Sequence, residues 1–311
     1  LFGEDFTHWS ALDIHIKPEV FYANGISLAS DSIPQLLSVF KEQPPQENSL
    51  ADLVPINAKG ALSFTFDDSE KFRRNLSEFR GDTKNVISTG IFDSSKEVGF
   101  IEMKQGTVVF LKSIDASFTQ DALARFVSSK ENFRDIEIKT FQEPSLFKEV
   151  FSPLIQTDQA NLMFQLEDFF VFAPDENTAQ EVIGAFLNNS TLKNTLYFEE
   201  STSNLSSASS ILVYSMDEYF TDHLQSFLNL NIPKTKLSDS KFPLIALQFS
   251  YDRNFAHIAL NCREFGGKSR PVATGITEKF HINLEHPLLT APKVFESNGY
   301  YVVAQDVENT L

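Results

Sequence analysis

The sequence predicts an α+β fold built from two similar halves, each a mainly antiparallel sheet with helices packed on one face. Three observations carry this reading. A stretch ending Leu28-Ala29-Ser30-Asp31, followed by an apolar helical pattern, returns as Phe172-Ala173-Pro174-Asp175 followed by another. Phe64-Thr65-Phe66-Asp67-Asp68 returns as Tyr214-Ser215-Met216-Asp217-Glu218, and the apolar pair of runs from Glu97 to Ile114 returns from Phe242 to Arg263. Apolar runs joined by short polar turns occur in both copies, which favours antiparallel hairpins over a doubly wound parallel sheet. The halves are expected at 1–153 and 154–285, with 286–311 opening a further β domain.

In the first half, Leu12, Ile14 and Ile16 alternate with Asp13 and His15, the period of a half-buried strand that Pro18 ends. A second strand runs from Phe21 to Ala29. Asp31 or Ser32 is placed to cap a helix with Pro34 in its first turn and Ile33, Leu36, Leu37 and Phe40 on its apolar stripe, stopped by Pro44-Pro45. Leu62, Phe64 and Phe66 face one way and Ala61, Ser63 and Thr65 the other, so this strand is expected to have one thinly covered side. Asp68 or Ser69 caps a helix with Phe72, Leu76 and Phe79 on one face and Gly81 as its left-handed stop. Strands are expected near Val86 to Phe92, Val98 to Met103 and Thr107 to Leu111, the last two closing a hairpin at Lys104-Gln105-Gly106. Ser117 with Gln120 forms a capping-box pattern for a helix burying Leu123, Phe126 and Val127. Phe133 to Phe141 reads as a strand, and Leu146, Phe147, Val150 and Phe151 as a short helix before Pro153.

In the second half, Leu162 to Leu166 and Phe169 to Phe172 are strands separated by Glu167-Asp168, and Asn177 to Leu187 is a helix carrying Val182, Ile183, Phe186 and Leu187. A Ser and Asn rich segment, Asn188 to Ser210, holds the apolar patch Leu196-Tyr197-Phe198. Ile211 to Tyr214 is a strand, followed by a helix with Tyr219, Phe220, His223, Leu224, Phe227 and Leu228. Pro243 to Ser250 and Phe255 to Arg263 close a hairpin around Asp252-Arg253-Asn254. Asn298-Gly299 is a turn signal, Tyr300 to Ala304 a strand, and Gln305-Asp306 with Asn309 the start of a next turn.

Composition bounds the chemistry. The net charge of -16, from 42 acidic and 26 basic residues, argues against nucleic acid and against an anionic bilayer surface. No stretch approaches the roughly 20 apolar residues of a membrane span. The single cysteine, Cys262, excludes an internal disulfide and shares a strand face with Ile258 and Leu260, where it packs rather than reacts. The 31 Phe outnumber the 7 Tyr and 1 Trp and follow strand and helix periods, which reads as core filling without polar atoms in need of partners. The chain opens at Leu1, and Gly3-Glu4-Asp5 lacks the regions of a secretory signal, so the given chain reads as trimmed at its front and cut at its end.

No motif nominates a catalytic, cofactor-binding or metal-binding residue. Gly266-Gly267-Lys268-Ser269 resembles the end of a phosphate-binding loop, but Cys262 stands where that loop needs its first Gly. His281 and His286 fall on opposite faces of a regular strand with Glu285 between them, and His223 and His257 lack a second ligand at useful spacing. The acidic clusters Asp67-Asp68-Glu70, Glu167-Asp168, Glu199-Glu200 and Asp217-Glu218 lack the alternating ligands and central Gly of a calcium loop, and carboxylates at helix starts are expected from capping. Asn75-Leu76-Ser77, Asn189-Ser190-Thr191 and Asn204-Leu205-Ser206 match the short N-glycosylation pattern.

The repeated order of a strand ending Ala-x-Asp, a helix, a Ser49-Leu50 or Thr191-Leu192 step and a strand ending in acidic residues resembles a little-characterised family of bacterial cell-envelope, lipoprotein-like proteins with a duplicated α+β unit often followed by a β-propeller. The resemblance covers most of residues 12–265. It implies a periplasmic or outer-membrane location, with Pro292 to Leu311 entering a first propeller blade and any lipid anchor outside the given residues. The family offers no catalytic residues to carry over. The function expected is a non-enzymatic protein-interaction or scaffold module of the envelope, a subunit of a larger complex with protein partners from the outer membrane or a secretion assembly. A carrier of lipid or another hydrophobic ligand in a Phe-lined cavity is the alternative, and a hydrolase with a carboxylate site the third reading.

Overall fold

A computed structural model describes residues 5–17, 19–29, 34–82, 90–216, 242–265, 293–296 and 300–303. It divides into two compact units, 1–269 and 270–311.

The first unit is α+β and is organised by one antiparallel sheet of twelve strands. These are β1 (Trp9–Lys17), β2 (Val20–Leu28), β4 (Gly60–Thr65), β5 (Ser95–Glu102), β6 (Thr107–Ser113), β7 (Val127–Phe133), β8 (Ile136–Phe141), β9 (Leu162–Leu166), β10 (Phe169–Ala173), β12 (Ile211–Met216), β13 (Leu244–Asp252) and β14 (Phe255–Arg263). Their order across the sheet is β1-β2-β14-β13-β12-β4-β5-β6-β10-β9-β8-β7. Two-residue strands β3 (Gln46–Glu47) and β11 (Ala208–Ser209) pair separately. The expectation of one sheet per half is corrected by this order. Strands β4 and β12 lie side by side at the centre, the β1–β2 hairpin docks on β14 from the other half, and the β9–β10 hairpin docks on β6.

Helices cover both faces of the sheet, which corrects the expectation of one. Because side chains alternate across a strand, Leu62, Phe64, Val98, Val109, Leu111, Phe170, Phe172, Ile211 and Val213 face one core. That core is completed by the 3-10 turn Leu36–Phe40 and by α2 (Ser69–Arg80), α3 (Ala116–Leu123) and α4 (Leu146–Phe151). Ala61, Ile101, Val108, Phe110, Phe169, Val171, Leu212 and Tyr214 face a second core, closed by α1 (Leu50–Leu53), α5 (Glu176–Leu187) and the turn Leu192–Asn194, with Phe198 of α6 (Phe198–Thr202) packed against it. Phe64 and Tyr214, matched in the sequence, therefore lie on opposite faces. With a side-chain period of two, that match is out of phase by one residue.

The first core is a continuous stack of rings. Phe72 of α2 meets Phe64 at 5.3 Å, Phe66 at 4.9 Å and Phe40 at 5.4 Å between centroids. Phe147 of α4 meets Phe172 at 4.6 Å, and Phe172 meets Phe141 at 4.9 Å. Offset and edge-on contacts at these distances are how aromatic side chains fill space. Helix α2 is fixed at both ends: the Asp68 carboxylate accepts from the Lys71 N–H at 2.9 Å, and Gly81 adopts the left-handed φ of 68°. Arg80 at its last turn donates to the carbonyls of Glu149, Val150 and Ser152, tying it to the end of α4.

Other local expectations shift. Helix α3 is capped by Asp115, which accepts from the Phe118 N–H at 3.0 Å, and Ser117 donates to that carboxylate instead of capping. Phe126 and Val127 lie past the helix, in a 3-10 turn and at the start of β7. The single strand expected from Phe133 to Phe141 is the second arm of a hairpin that turns at Arg134 and Asp135, both at positive φ. Ile91 and Phe92 lie in a turn rather than a strand, buried against the first core. Asp31, Ser32 and Ile33, Val86, the helix beginning near Tyr219, and the Asn298-Gly299 turn fall outside the described residues. In the second unit the described residues form one hairpin, β15 (Lys293–Glu296) with β16 (Tyr300–Val303).

Candidate functional site

The residues singled out in the sequence do not converge. Asp68 is a helix cap, Glu199 and Glu200 occupy the first turn of α6, and Glu167 turns the β9–β10 hairpin at a φ of 54° while Asp168 pairs with Lys112 at 3.4 Å. His257 lies on β14 with its ring edge-on to Phe255. Cys262 is buried, and burial pushes its thiol up to about 12, so it stays protonated and inert at neutral pH. The Asn75 amide donates at 3.0 Å to the carbonyls of both Val39 and Lys41, which commits it to the chain rather than to a sugar. Gly266 to Ser269, His223, His281, Glu285, His286, Asp217 and Glu218 lie outside the described residues. Among the described residues, no group of three His, Cys, Asp or Glu side chains is arranged to hold a metal ion, and no helix is long and apolar enough to cross a membrane.

A polar cluster that sequence reading missed lies on the second face, beside the central strands. Glu97 of β5 is 1% exposed and stands opposite Thr65 on β4 and Lys112 on β6. Its Oε2 accepts from the Ser49 N–H at 2.7 Å, and its Oε1 has no hydrogen-bond partner. Burial pushes the carboxyl up to about 6, against the opposing pull of the Ser63 hydroxyl, the Ser49 N–H, Lys112 and Asn48. Lys112 donates to the Ser49 Oγ at 2.6 Å and lies 5.1 Å from the Phe169 ring centroid. Burial, then the charges of Glu97 and Asp52, holds the Tyr214 phenol well above its ordinary range.

A carboxyl titrating near neutrality is the raw material of acid–base catalysis. The partners here point elsewhere. Ser49 accepts from an ammonium, whereas a serine nucleophile needs a base to take its proton. The remaining bonds join chain segments: Ser209 Oγ to Asn48 Oδ1 at 2.5 Å, the Gln46 N–H to Thr65 Oγ1 at 3.1 Å, and Thr65 Oγ1 to the Ser209 carbonyl at 2.5 Å. Gln248 both accepts from the Ser206 N–H and donates to its carbonyl, and Asn261 donates to the Ser201 carbonyl at 2.6 Å. The cluster clamps two connections, the one around Gln46 to Ser49 and the one from Ser201 to Ser209, onto a sheet face whose own backbone is already paired. Its signal in the sequence was a lone carboxylate in phase with Ile101, on the side of β5 that alternation assigns to the core.

The exposed feature is the edge. Along β1, Trp9 is 42%, Leu12 48%, Ile14 53% and Ile16 78% exposed, and Ile26 beside it on β2 is 39% exposed. This corrects the half-buried strand expected there. Strand β1 pairs β2 over nine residues, from Trp9 with Leu28 to Lys17 with Val20, and among the described residues no strand pairs with its outer side. Gly25 permits this closeness, since a Cβ there would stand 2.0 Å from the Ala11 carbonyl oxygen. The opposite edge, β7, is interrupted by a register shift between Ser128 and Glu131, a common way of blunting an edge. The β1 edge has no such interruption.

No family model matches the chain, and no curated protein matches it. A solved structure, crystal form I of TP0453, aligns over 72% of this chain and 82% of that chain with 14% identity and a TM-score of 0.39, a likeness too distant to carry an argument about fold or function.

Proposed function

We propose that this chain is a non-enzymatic interaction module that engages a protein partner by strand addition along β1. The observation that supports the reading is the regular edge from Trp9 to Lys17 with Leu12, Ile14 and Ile16 exposed on one side of it. Unpaired N–H and C=O groups on such an edge are a template for another strand, and exposed apolar residues at every second position give the pairing its specificity. The polar cluster at Glu97 fits this reading as internal bracing, and the stacked Phe rings fit packing rather than a ligand cage.

The wider setting is part of the same proposal. The resemblance to envelope proteins favours a periplasmic or outer-membrane location and a role as one subunit of a larger assembly. The repeated order of hairpin, crossover, central strand and hairpin, with each outer hairpin docked on the other half, favours descent from a duplicated unit. The β15–β16 hairpin would then belong to a following β domain.

The test is native extraction of the tagged chain beside a Leu12→Lys/Ile16→Lys variant of unchanged melting temperature. The wild type is expected to retain a stoichiometric protein partner that the variant loses. Retention of the same partners by both would overturn the reading. Trp9, the one tryptophan, lies on the same strand and supplies a fluorescence signal for titration with a recovered partner.

A further inference from the structure

We infer that the strand seated on β1 is the β1 of a second copy of this chain, paired antiparallel with Ile14 opposite Ile14. The inference rests on the strand-addition reading and names its partner. It comes from the order of residues along the edge. With Ile14 on the symmetry axis, Leu12 of each copy faces Ile16 of the other, and Asp13 of each copy faces His15 of the other. Every exposed Leu and Ile of the strand then meets another, and each Asp13 carboxylate stands across from an imidazole.

Neighbouring symmetric registers fail on the same residues. Centring on Asp13 puts two carboxylates face to face and leaves Ile16 against Ser10. Centring on His15 stacks imidazole on imidazole and sets Leu12 against Pro18. Centring on Leu12 places Ile14 against Ser10 and Ile16 against His8. Self-complementarity in one register is what a two-fold interface between identical surfaces requires.

The surroundings agree. Within one chain the His15 Nε2 sits 3.0 Å from the Asp13 Oδ2, with the ring stacked on Tyr22 at 4.5 Å, so both groups share one face of the strand, opposite Leu12, Ile14 and Ile16. The apolar row continues inward from Leu12, Ile14 and Ile16 to Gly25, Ala23 and Phe21, their partners on β2. Joining two such edges makes one sheet across both copies. The whole-chain charge of -16 opposes approach, yet the strand itself carries one Asp and one Lys, whose charges balance. Long-range repulsion between two acidic bodies is screened by salt, whereas the apolar and backbone contacts are not. The dimer is therefore expected to tighten as ionic strength rises.

The experiment is sedimentation velocity of the full chain over a wide concentration range, with Ile14→Lys in parallel, and thiol crosslinking of two single-cysteine additions. Wild type is expected to pass from monomer to dimer while Ile14→Lys stays monomeric with an unchanged far-ultraviolet spectrum. Ile14→Cys, which lies opposite itself, is expected to give a crosslinked dimer with a short bifunctional thiol reagent, and Leu12→Cys, equally exposed but opposite Ile16, is not. Buried Cys262 does not compete. If Ile14→Lys does not fold, the two cysteine variants decide the matter alone. A monomer at every concentration, a dimer that survives Ile14→Lys, or stronger crosslinking from Leu12→Cys would overturn the second-copy pairing. If the chain is monomeric but β1 substitutions still release another protein from native extracts, the strand-addition reading stands and this partner is wrong; if they release nothing, both fall.

Discussion

Strands β1 and β4 carry the same alternating pattern and have opposite fates. Leu12, Ile14 and Ile16 alternate with Asp13 and His15, and every described side chain of β1 is exposed or only half-buried. Leu62 and Phe64 alternate with Ala61, Ser63 and Thr65, and all six residues of β4 are buried. Alternation marks which residues share a face, but what covers each face is decided by neighbours elsewhere in the chain. The difference is visible in the polar positions. A Ser or Thr hydroxyl is satisfied by one or two hydrogen bonds from a passing backbone, as Thr65 is by Gln46 and Ser209. A carboxyl and an imidazole, as at Asp13 and His15, need more partners than a passing backbone supplies and resist burial.

The largest expected effect breaks the central strand. Phe64→Ala removes a ring in contact with Phe66, Phe72 and Phe151 and should cost about 3–5 kcal/mol in chemical denaturation, because the surrounding rings cannot collapse fully into the gap. Next comes pH. Glu97 holds its proton up to about 6 in the fold against an ordinary 4.5, so its contribution is fully present below about pH 4.5 and is lost as pH rises through 6. The change is about 2 kcal/mol, on the scale of 1.4 kcal/mol per pKa unit. Glu97→Gln should flatten the stability profile across that window, as read by urea denaturation at several pH values.

A smaller effect tests the end of the central segment. Asp68→Ala deprives α2 of its cap and should cost about 1 kcal/mol, seen as a shift in denaturation midpoint without a change in slope. The smallest belongs to the edge. Leu12→Lys should alter monomer stability by no more than about 0.5 kcal/mol, since a half-exposed position loses little burial. A large loss there would mean that β1 is part of the core and would erase the contrast with β4.

Much of the element order was legible because it is local. Asp68 and Gly81 bracket α2 by cap chemistry, and the hairpins at Gly106 and Arg253 follow from turn residues between apolar runs. The single sheet was not legible, because docking a hairpin on the strand of another half leaves no mark in either segment. The second covered face was hidden for a related reason. The residues that close it, Leu50, Leu53, Val182, Ile183 and Leu192, come from three separate stretches that only the crossovers bring together. The burial of Glu97 is not legible locally, because a strand carboxylate is normally solvated and this one is covered by Asn48 and Ser49 from a distant loop. The alternation of β1 is legible in Leu12, Ile14 and Ile16, whereas its exposure is set by the lack, among the described residues, of a strand beyond it.

Amide hydrogen exchange followed residue by residue at increasing protein concentration tests the contrast most directly. Ala61 to Thr65 on β4 are expected to exchange only through global unfolding at every concentration, while alternate amides from Ser10 to Ile16 on β1 exchange fast in dilute solution and become protected as the chain is concentrated. Protection of those β1 amides equal to that of β4 at the lowest concentration, or fast exchange that concentration does not change, would contradict it.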